Sequence, residues 1–266
     1  MHRDSGLHPG AWITWATCAG LVTFTTTNPF YLALIVAVSF FVYASQRIPG
    51  PTARSFRLFA IAGLITVVVR TSLVFLGTVD AGNVAFAALE GARLAALLIV
   101  FGTFNAVTDP FGVVRLAPRR FHEPALAAAL ALSIAPRTVA MVGRVREAQT
   151  LRGIPTSWRT LPALAVPVLE TGMEEAVTLA ESMDSRGHGR GRRSRYRPSR
   201  WTPAAVGVSA SAIACAAVSL AAAWQQGPDL HPATSPLAWP PVRPAMLAVI
   251  GILALPGVVR SPTEHT

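Results

Sequence analysis

The chain has 266 residues, of which 52% are hydrophobic and only 14% are charged. This balance argues against ordinary soluble domains and is typical of a protein with several membrane spans. The sequence has no lysine, so arginine supplies the positive charge. The net charge of +10 favours either nucleic acid or an anionic membrane surface as a partner. Cys18 and Cys215 lie inside apolar runs without the spacing of a metal site, so we predict buried side chains and no metal there.

The first 117 residues contain four apolar segments. A bilayer core needs roughly 20 apolar residues per helix. Segments close to that length occur at residues 11–27, 30–45, 58–78 and 84–105. Asn28-Pro29 is a turn signal, so the first two segments are predicted to form a helical hairpin, and Thr108-Asp109-Pro110 ends the fourth segment. We therefore predict an N-terminal membrane domain over residues 1–117.

A more polar region, residues 118–200, interrupts the apolar segments. Its first part, residues 124–149, has a membrane-like composition, but Arg137, Arg144 and Glu147 lie on more than one helical face. Lipid would not tolerate charges in that arrangement. We expect this helix to dip into the membrane or to pack on the spans, and then to emerge into the cytoplasm. Pro136 is a candidate kink within it.

The next predicted helix runs from Ala163 to Asp184 and is amphipathic. Apolar side chains recur at helical spacing on one side, and glutamates occupy the opposite side. A helix with this pattern lies on a surface and does not cross a membrane. We predict that its apolar stripe packs on the membrane spans or on another membrane protein. The stripe includes Val168, Leu169, Gly172, Ala176, Leu179 and Met183.

The last part of the chain, residues 201–266, contains two further apolar segments, at about 203–224 and 244–259. The prediction is therefore an all-α membrane protein with about six spans. If the N-terminus is cytoplasmic, all arginines except Arg70, Arg93 and Arg243 fall in predicted cytoplasmic segments. The positive-inside rule then predicts a multi-pass protein of the cell membrane with both termini in the cytoplasm.

No motif of a known enzyme chemistry occurs in the sequence. It lacks the GxxxxGK[ST] phosphate loop, HExxH, a CxxC pair and GxSxG. We therefore expect a non-catalytic chain that binds no cofactor of its own. The arginine-rich segment 186–200 could bind nucleic acid, but few aromatic residues accompany it. Its position just before a span favours contact with lipid headgroups instead.

Three charged residues fall inside predicted spans. Arg70 lies in the third span, and Glu90 and Arg93 lie three residues apart in the fourth. Charges at that depth are costly, and they are expected to be paired or to face the interior of the bundle. They could mark a transport pathway, or they could form a buried salt-bridge network that locks the third and fourth spans together. We favour the network.

Two short motifs in the polar region have the same form. Leu151-Arg152-Gly153 and Ser185-Arg186-Gly187 each end a predicted helix that carries glutamate. A cation followed by glycine is a common way to end a helix, and this alone could explain one such motif. Two of them, at the ends of consecutive cytoplasmic helices, suggest two equivalent contacts with a partner. The planar, always charged guanidinium of arginine suits an acidic groove on a protein.

With these motifs the chain resembles the transmembrane T component of energy-coupling factor (ECF) transporters for vitamins and metal ions. The resemblance covers nearly the whole chain. It rests on TTTNP between the first two spans, TDP followed by arginines after the fourth, and the segments EAQTLRG and AESMDSRG. The signature of that family is two Ala-Arg-Gly motifs that end long coupling helices. Here Leu151 and Ser185 replace the alanines, and both Arg-Gly pairs match.

The resemblance implies a scaffold without a catalytic role. Such proteins bridge two cytoplasmic ABC-type ATPases, which bind ATP and Mg²⁺, and a small substrate-binding S component in the membrane. Each Arg-Gly helix end would dock in one ATPase. Residues 118–200 would then form a coupling-helix region between the membrane segments 1–117 and 201–266, and nucleic acid is not an expected partner.

Two alternatives remain open from the sequence. One is a different ABC permease, in which this chain itself forms the transport pathway. The other is a membrane-anchored protein that binds nucleic acid or anionic lipid through the arginines of residues 186–200.

Overall fold

The structure is a computed structural model that describes residues 7–46, 51–77, 80–153, 161–188, 201–225, 230 and 241–259. All regular structure in these residues is helical, which confirms the predicted all-α class. The α-helices are α1 (Pro9–Phe24), α2 (Pro29–Gln46), α3 (Pro51–Ser72), α4 (Ala81–Val107), α5 (Pro110–Arg115), α6 (His122–Leu151), α7 (Leu161–Ser185), α8 (Pro203–Trp224), α9 (Pro244–Gly251) and α10 (Leu255–Val258). Short 3-10 helices cover Leu73–Leu76, Arg119–Phe121 and Ile252–Ala254.

The chain divides into two compact units. The first unit comprises Met1–Leu116 and Ser199–Thr266, and it contains α1 to α5 and α8 to α10. The second unit comprises Ala117–Pro198 and contains α6 and α7. The second unit is therefore an insertion in the sequence of the first, joined to it by two chain connections.

Five helical segments are long enough and apolar enough to cross a membrane: Pro29–Gln46, Ser55–Leu76, Ala81–Val107, Glu123–Leu151 and Pro203–Trp224. Four of them correspond to spans predicted from the sequence. The fifth, Glu123–Leu151, covers the segment that we expected to enter the membrane only in part. The first and last predicted spans are helical, but they are shorter than these five segments. Helix α1 has 16 residues, and the C-terminal stretch covers Pro244–Val258. That the chain crosses the membrane six times remains a prediction.

Helix α1 lies in the hydrophobic core of the first unit. It packs against α4 and α8, and its side chains Trp12, Trp15 and Val22 are each 1% exposed. Small residues of α8, including Ala205 and Ala212, are buried in the same core. The opposite side of α1 is open, since Leu21 is 52% and Phe24 61% exposed, so one side of this apolar helix faces the core.

Helices α3 and α4 pack closely through glycines. A Cβ atom on Gly91 would lie 2.9 Å from the Cα of Val67, and one on Gly102 would lie 2.8 Å from the Cβ of Phe59. Apolar side chains have no hydrophobic advantage over lipid inside a membrane, so close backbone approach is the main source of attraction between spans. The two glycines therefore hold α3 against α4.

The C-terminal helical stretch changes from α-helix to 3-10 helix at Ile252–Ala254 and contains Pro256. Side chains from α1 and α2 bind its backbone carbonyls there. The Trp15 indole Nε1 donates to Leu253 O at 2.9 Å, and the Gln46 amide donates to Pro256 O at 2.9 Å and to Val259 O at 2.6 Å. Carbonyl groups at a helix irregularity need such partners wherever water is excluded.

The turn between α1 and α2 is polar and buried. Asn28 is 0% exposed, its Oδ1 accepts from the Phe30 N–H, and its Nδ2 donates to Pro241 O at 2.9 Å. The Thr26 hydroxyl donates to Leu230 O at 3.0 Å, and the Thr27 N–H donates to the same carbonyl at 2.9 Å. The turn therefore holds two chain segments that are about 200 residues away in the sequence.

In the second unit, α6 and α7 pack against each other. Helix α6 continues through Pro136 and reaches Leu151. Its side chains are mostly exposed, but Met141 is buried, and partly buried residues recur every three or four positions before and after it. Both helices therefore have one partly covered side and a large open one.

Candidate functional site

The first Arg-Gly motif lies at the end of α6. Leu151 is the last helical residue, and the Arg152 N–H donates to the carbonyl oxygens of Ala148 and Gln149. Gly153 has a φ of 74°, and its N–H donates to Thr150 O at 3.0 Å. This left-handed residue after the helix is the usual glycine stop. Arg152 and Gly153 are exposed, and Leu151 is 85% exposed.

The second motif ends α7 in the same manner. Gly187 has a φ of 76°, close to that of Gly153. Its N–H donates to Asp184 O at 2.8 Å, and the His188 N–H donates to Met183 O at 2.9 Å. This pair of bonds is a Schellman motif, which turns the chain away from the helix axis directly after Arg186. Ser185 bonds back to Ser182 O through its hydroxyl.

The two arginines are open to binding. Both side chains are exposed, and neither forms an ion pair with another residue in the part of the chain that the structure describes. Each lies where the unpaired carbonyls of a helix end leave a partial negative charge, which favours a cation. The geometry therefore presents two similar cationic helix ends. The other arginines of the basic run, from Arg190 to Arg200, lie outside the described residues.

The predicted apolar stripe of α7 has two parts. Val168, Leu179 and Met183 are half-buried, whereas Leu169, Gly172 and Ala176 are exposed. The exposed part continues onto residues that the sequence analysis did not include. Val166 is 67% exposed, Met173 69% and Val177 58%. Together with Leu169, which is 64% exposed, they form a surface that we call the α7 apolar face. Their spacing of three and four residues was visible in the sequence.

The charged residues inside predicted spans form one ion pair. The Arg93 guanidinium binds the Glu90 carboxylate at 2.6 Å, and the two side chains are 18% and 13% exposed. The guanidinium carbon also lies 5.0 Å from the centre of the Phe24 ring, a cation–π distance. Because both partners belong to α4, this pair does not join α3 to α4. Arg70 is exposed and takes no part in it.

No protein-family model matches this chain, and no curated protein sequence matches it either. The resemblance to the T component is therefore carried by the motifs themselves.

Among the described residues, no three His, Cys, Asp or Glu side chains come together as a metal site would require. Cys18 and Cys215 are buried free thiols inside the first unit.

Proposed function

We propose that this chain is the transmembrane scaffold of an ECF-type importer. In this proposal α6 and α7 are coupling helices, and Arg152 and Arg186 each dock in an acidic groove of one cytoplasmic ABC-type ATPase. ATP and Mg²⁺ bind to those ATPases and not to this chain. A small S component in the membrane binds the vitamin or metal ion, and the scaffold converts closure of the ATPase pair into movement of that subunit.

The observation that carries the proposal is the equivalence of the two helix ends. Each has an exposed arginine, and each arginine is followed by a glycine at nearly the same positive φ. One such end is an ordinary helix stop. Here two exposed ends of this kind lie on neighbouring helices, and neither arginine has an ion-pair partner in the described chain. Two such ends would fit two similar grooves, one on each ATPase. An acidic groove would pair and desolvate each guanidinium.

The α7 apolar face supports a second contact. Four large apolar side chains on one helix are each more than half exposed, and a sizeable exposed apolar patch usually marks an interaction surface. We assign this face to the S component. In this proposal the chain crosses the cell membrane several times, and both termini lie in the cytoplasm.

Co-purification tests the proposal. The full chain, tagged and extracted from its native membrane in mild detergent, should carry ABC-type ATPases and a small hydrophobic subunit. Mass spectrometry identifies the ATPases by their nucleotide-binding motifs. ATPases without the small subunit would indicate a permease that forms its own pathway. Recovery of nucleic acid or anionic lipid alone would contradict the scaffold.

A further inference from the structure

The start of α1 contacts two segments of the first unit that adjoin its connections to the second unit. The chain leaves the first unit directly after α5, at Leu116, and returns to it at Ser199. The imidazole of His8 stacks on the indole of Trp201, with the ring centres 4.3 Å apart and the planes at 21°. On the outgoing side, a Cβ atom on Gly112 in α5 would lie 2.9 Å from Cγ of Pro9.

These contacts are tightly fitted. His8 is 7% exposed, and its Nδ1 accepts from the Gly10 N–H at 3.0 Å. Burial lowers the pKa of His8, in agreement with a neutral ring that accepts through Nδ1. A Cβ atom on Gly10 would lie 3.2 Å from the Trp201 ring, so glycine lets the indole lie against the helix backbone. Asp109 fixes the start of α5 by accepting from the N–H groups of Phe111 and Gly112.

We propose that His8, Pro9, Gly10, Gly112 and Trp201 form a clasp through which movement of the coupling helices reaches the membrane spans. A force on the second unit can reach the first along the chain only through its two covalent connections. Both connections adjoin segments packed on the start of α1: Gly112 lies against Pro9, and Trp201 lies against His8 and Gly10. Because one side of α1 packs in the core of the first unit, against α4 and α8, a displacement at the clasp reaches the helices that share this core.

This inference rests on the proposed function for its consequence in transport, but the clasp itself can be tested separately. Spin labels on Ser45→Cys in the first unit and Thr171→Cys in the second report the distribution of distances between the units in lipid nanodiscs. Both positions are exposed, and the native cysteines are buried. His8→Ala and Trp201→Ala should broaden this distribution. Trp201→Phe keeps a ring for stacking and should leave the distribution as it is in wild type.

Matched controls are available for each change. Trp224 is 88% exposed, so Trp224→Ala removes the same side chain without touching the clasp. Gly112→Ala should broaden the distribution, whereas Gly207→Ala, where a Cβ atom meets open space, should not. If Trp201→Ala fails to fold, His8→Ala tests the same stack from the other side. A distribution unchanged from wild type in His8→Ala, Trp201→Ala and Gly112→Ala would overturn the clasp.

The transport arm uses the complete complex with its ATPases and S component. The clasp variants should assemble and hydrolyse ATP, but they should move less substrate for each ATP hydrolysed. A wild-type chain that binds no ATPase would defeat the proposed function and leave the distance result standing. Clasp variants with a broadened distribution but a wild-type ratio of uptake to hydrolysis would show that the clasp does not transmit the movement.

Discussion

The N–H of His188 donates to the carbonyl oxygen of Met183 at 2.9 Å, across the glycine that ends α7. This bond requires the backbone between them to adopt a left-handed conformation, and Gly187 provides it with a φ of 76°. The direction in which the chain leaves Arg186 therefore depends on a residue without a side chain. Gly153 has the same role after Arg152, at a φ of 74°.

Gly153→Ala and Gly187→Ala should distort the helix ends. An L-residue in the left-handed conformation costs roughly 1–2 kcal/mol, so the chain after each arginine should rearrange and binding of the ATPases should weaken. Gly172→Ala is the matched control, because Gly172 lies within α7 and a Cβ atom there meets open space. Pull-down of the ATPases measures the effect. Equal recovery with Gly187→Ala and Gly172→Ala would contradict a role for the helix-end geometry.

The topology can be tested by labelling single cysteines with an impermeant reagent. We expect Ala81→Cys and Gln225→Cys to react from outside the cell, and Thr150→Cys to react only after the membrane is opened. All three positions are exposed, and the native Cys18 and Cys215 are buried. Reaction of Thr150→Cys from outside would exclude a cytoplasmic position for the end of α6.

The α7 apolar face should be needed for transport but not for ATPase binding. Leu169→Glu or Met173→Glu would place a charge against an apolar partner, where an unpaired charge costs several kcal/mol or forces the contact apart. Uptake should fall while ATPase pull-down persists. Thr178→Glu adds the same charge to an exposed position of α7 away from this face and should be mild. Normal uptake by both face variants would mean that the face is not an interface.

The buried turn after α1 should contribute to the stability of the first unit. Asn28→Ala removes the bond to Pro241 and leaves the Phe30 N–H without its side-chain acceptor. A buried polar group that loses its partner costs about 1–3 kcal/mol, so the thermal unfolding temperature in detergent should fall. Asn105→Ala is the comparison, because Asn105 is exposed and bonds only weakly, to Ser55 at 3.2 Å. Equal unfolding temperatures for the two variants would mean that the turn does not contribute to the stability of the first unit.

Much of the fold follows from local sequence. Apolar runs and breaks at Asn28-Pro29 and Thr108-Asp109-Pro110 correctly predict where α1, α2 and α4 begin or end. The short helix α5 was not predicted, although Asp109 before Pro110 is a good start signal for a helix. The Asn28–Pro241 bond could not be predicted, because nothing local in a polar turn identifies an acceptor more than 200 residues away.

Part of the candidate site was predictable, because it also depends on local sequence. Glycine after arginine at the end of a periodic segment predicts a helix stop, and Gly153 and Gly187 both take the conformation that such a stop requires. The exposed side of α7 was harder to predict, since apolar residues surround more than half of the helix. Val168 and Leu169 are neighbours in one predicted stripe, yet only the second is exposed. Which apolar side stays open depends on packing in three dimensions.

The central claim is that Arg152 and Arg186 are two equivalent docking points for ATPases. Loss of one partner from a buried charge pair costs roughly 2–5 kcal/mol, so Arg152→Glu and Arg186→Glu should each weaken assembly. The remaining contact keeps the complex partly assembled through its high effective concentration. The charge-matched control is the double variant Arg144→Glu/Arg146→Glu, on exposed positions of α6 close to the first motif.

The most direct measurement is a quantitative pull-down of the ATPases with wild type, the two single variants, the double variant Arg152→Glu/Arg186→Glu and the control. We predict partial recovery with each single variant, none with the double variant, and near wild-type recovery with the control. A double variant that still captures both ATPases would contradict the assignment of these arginines as the docking points.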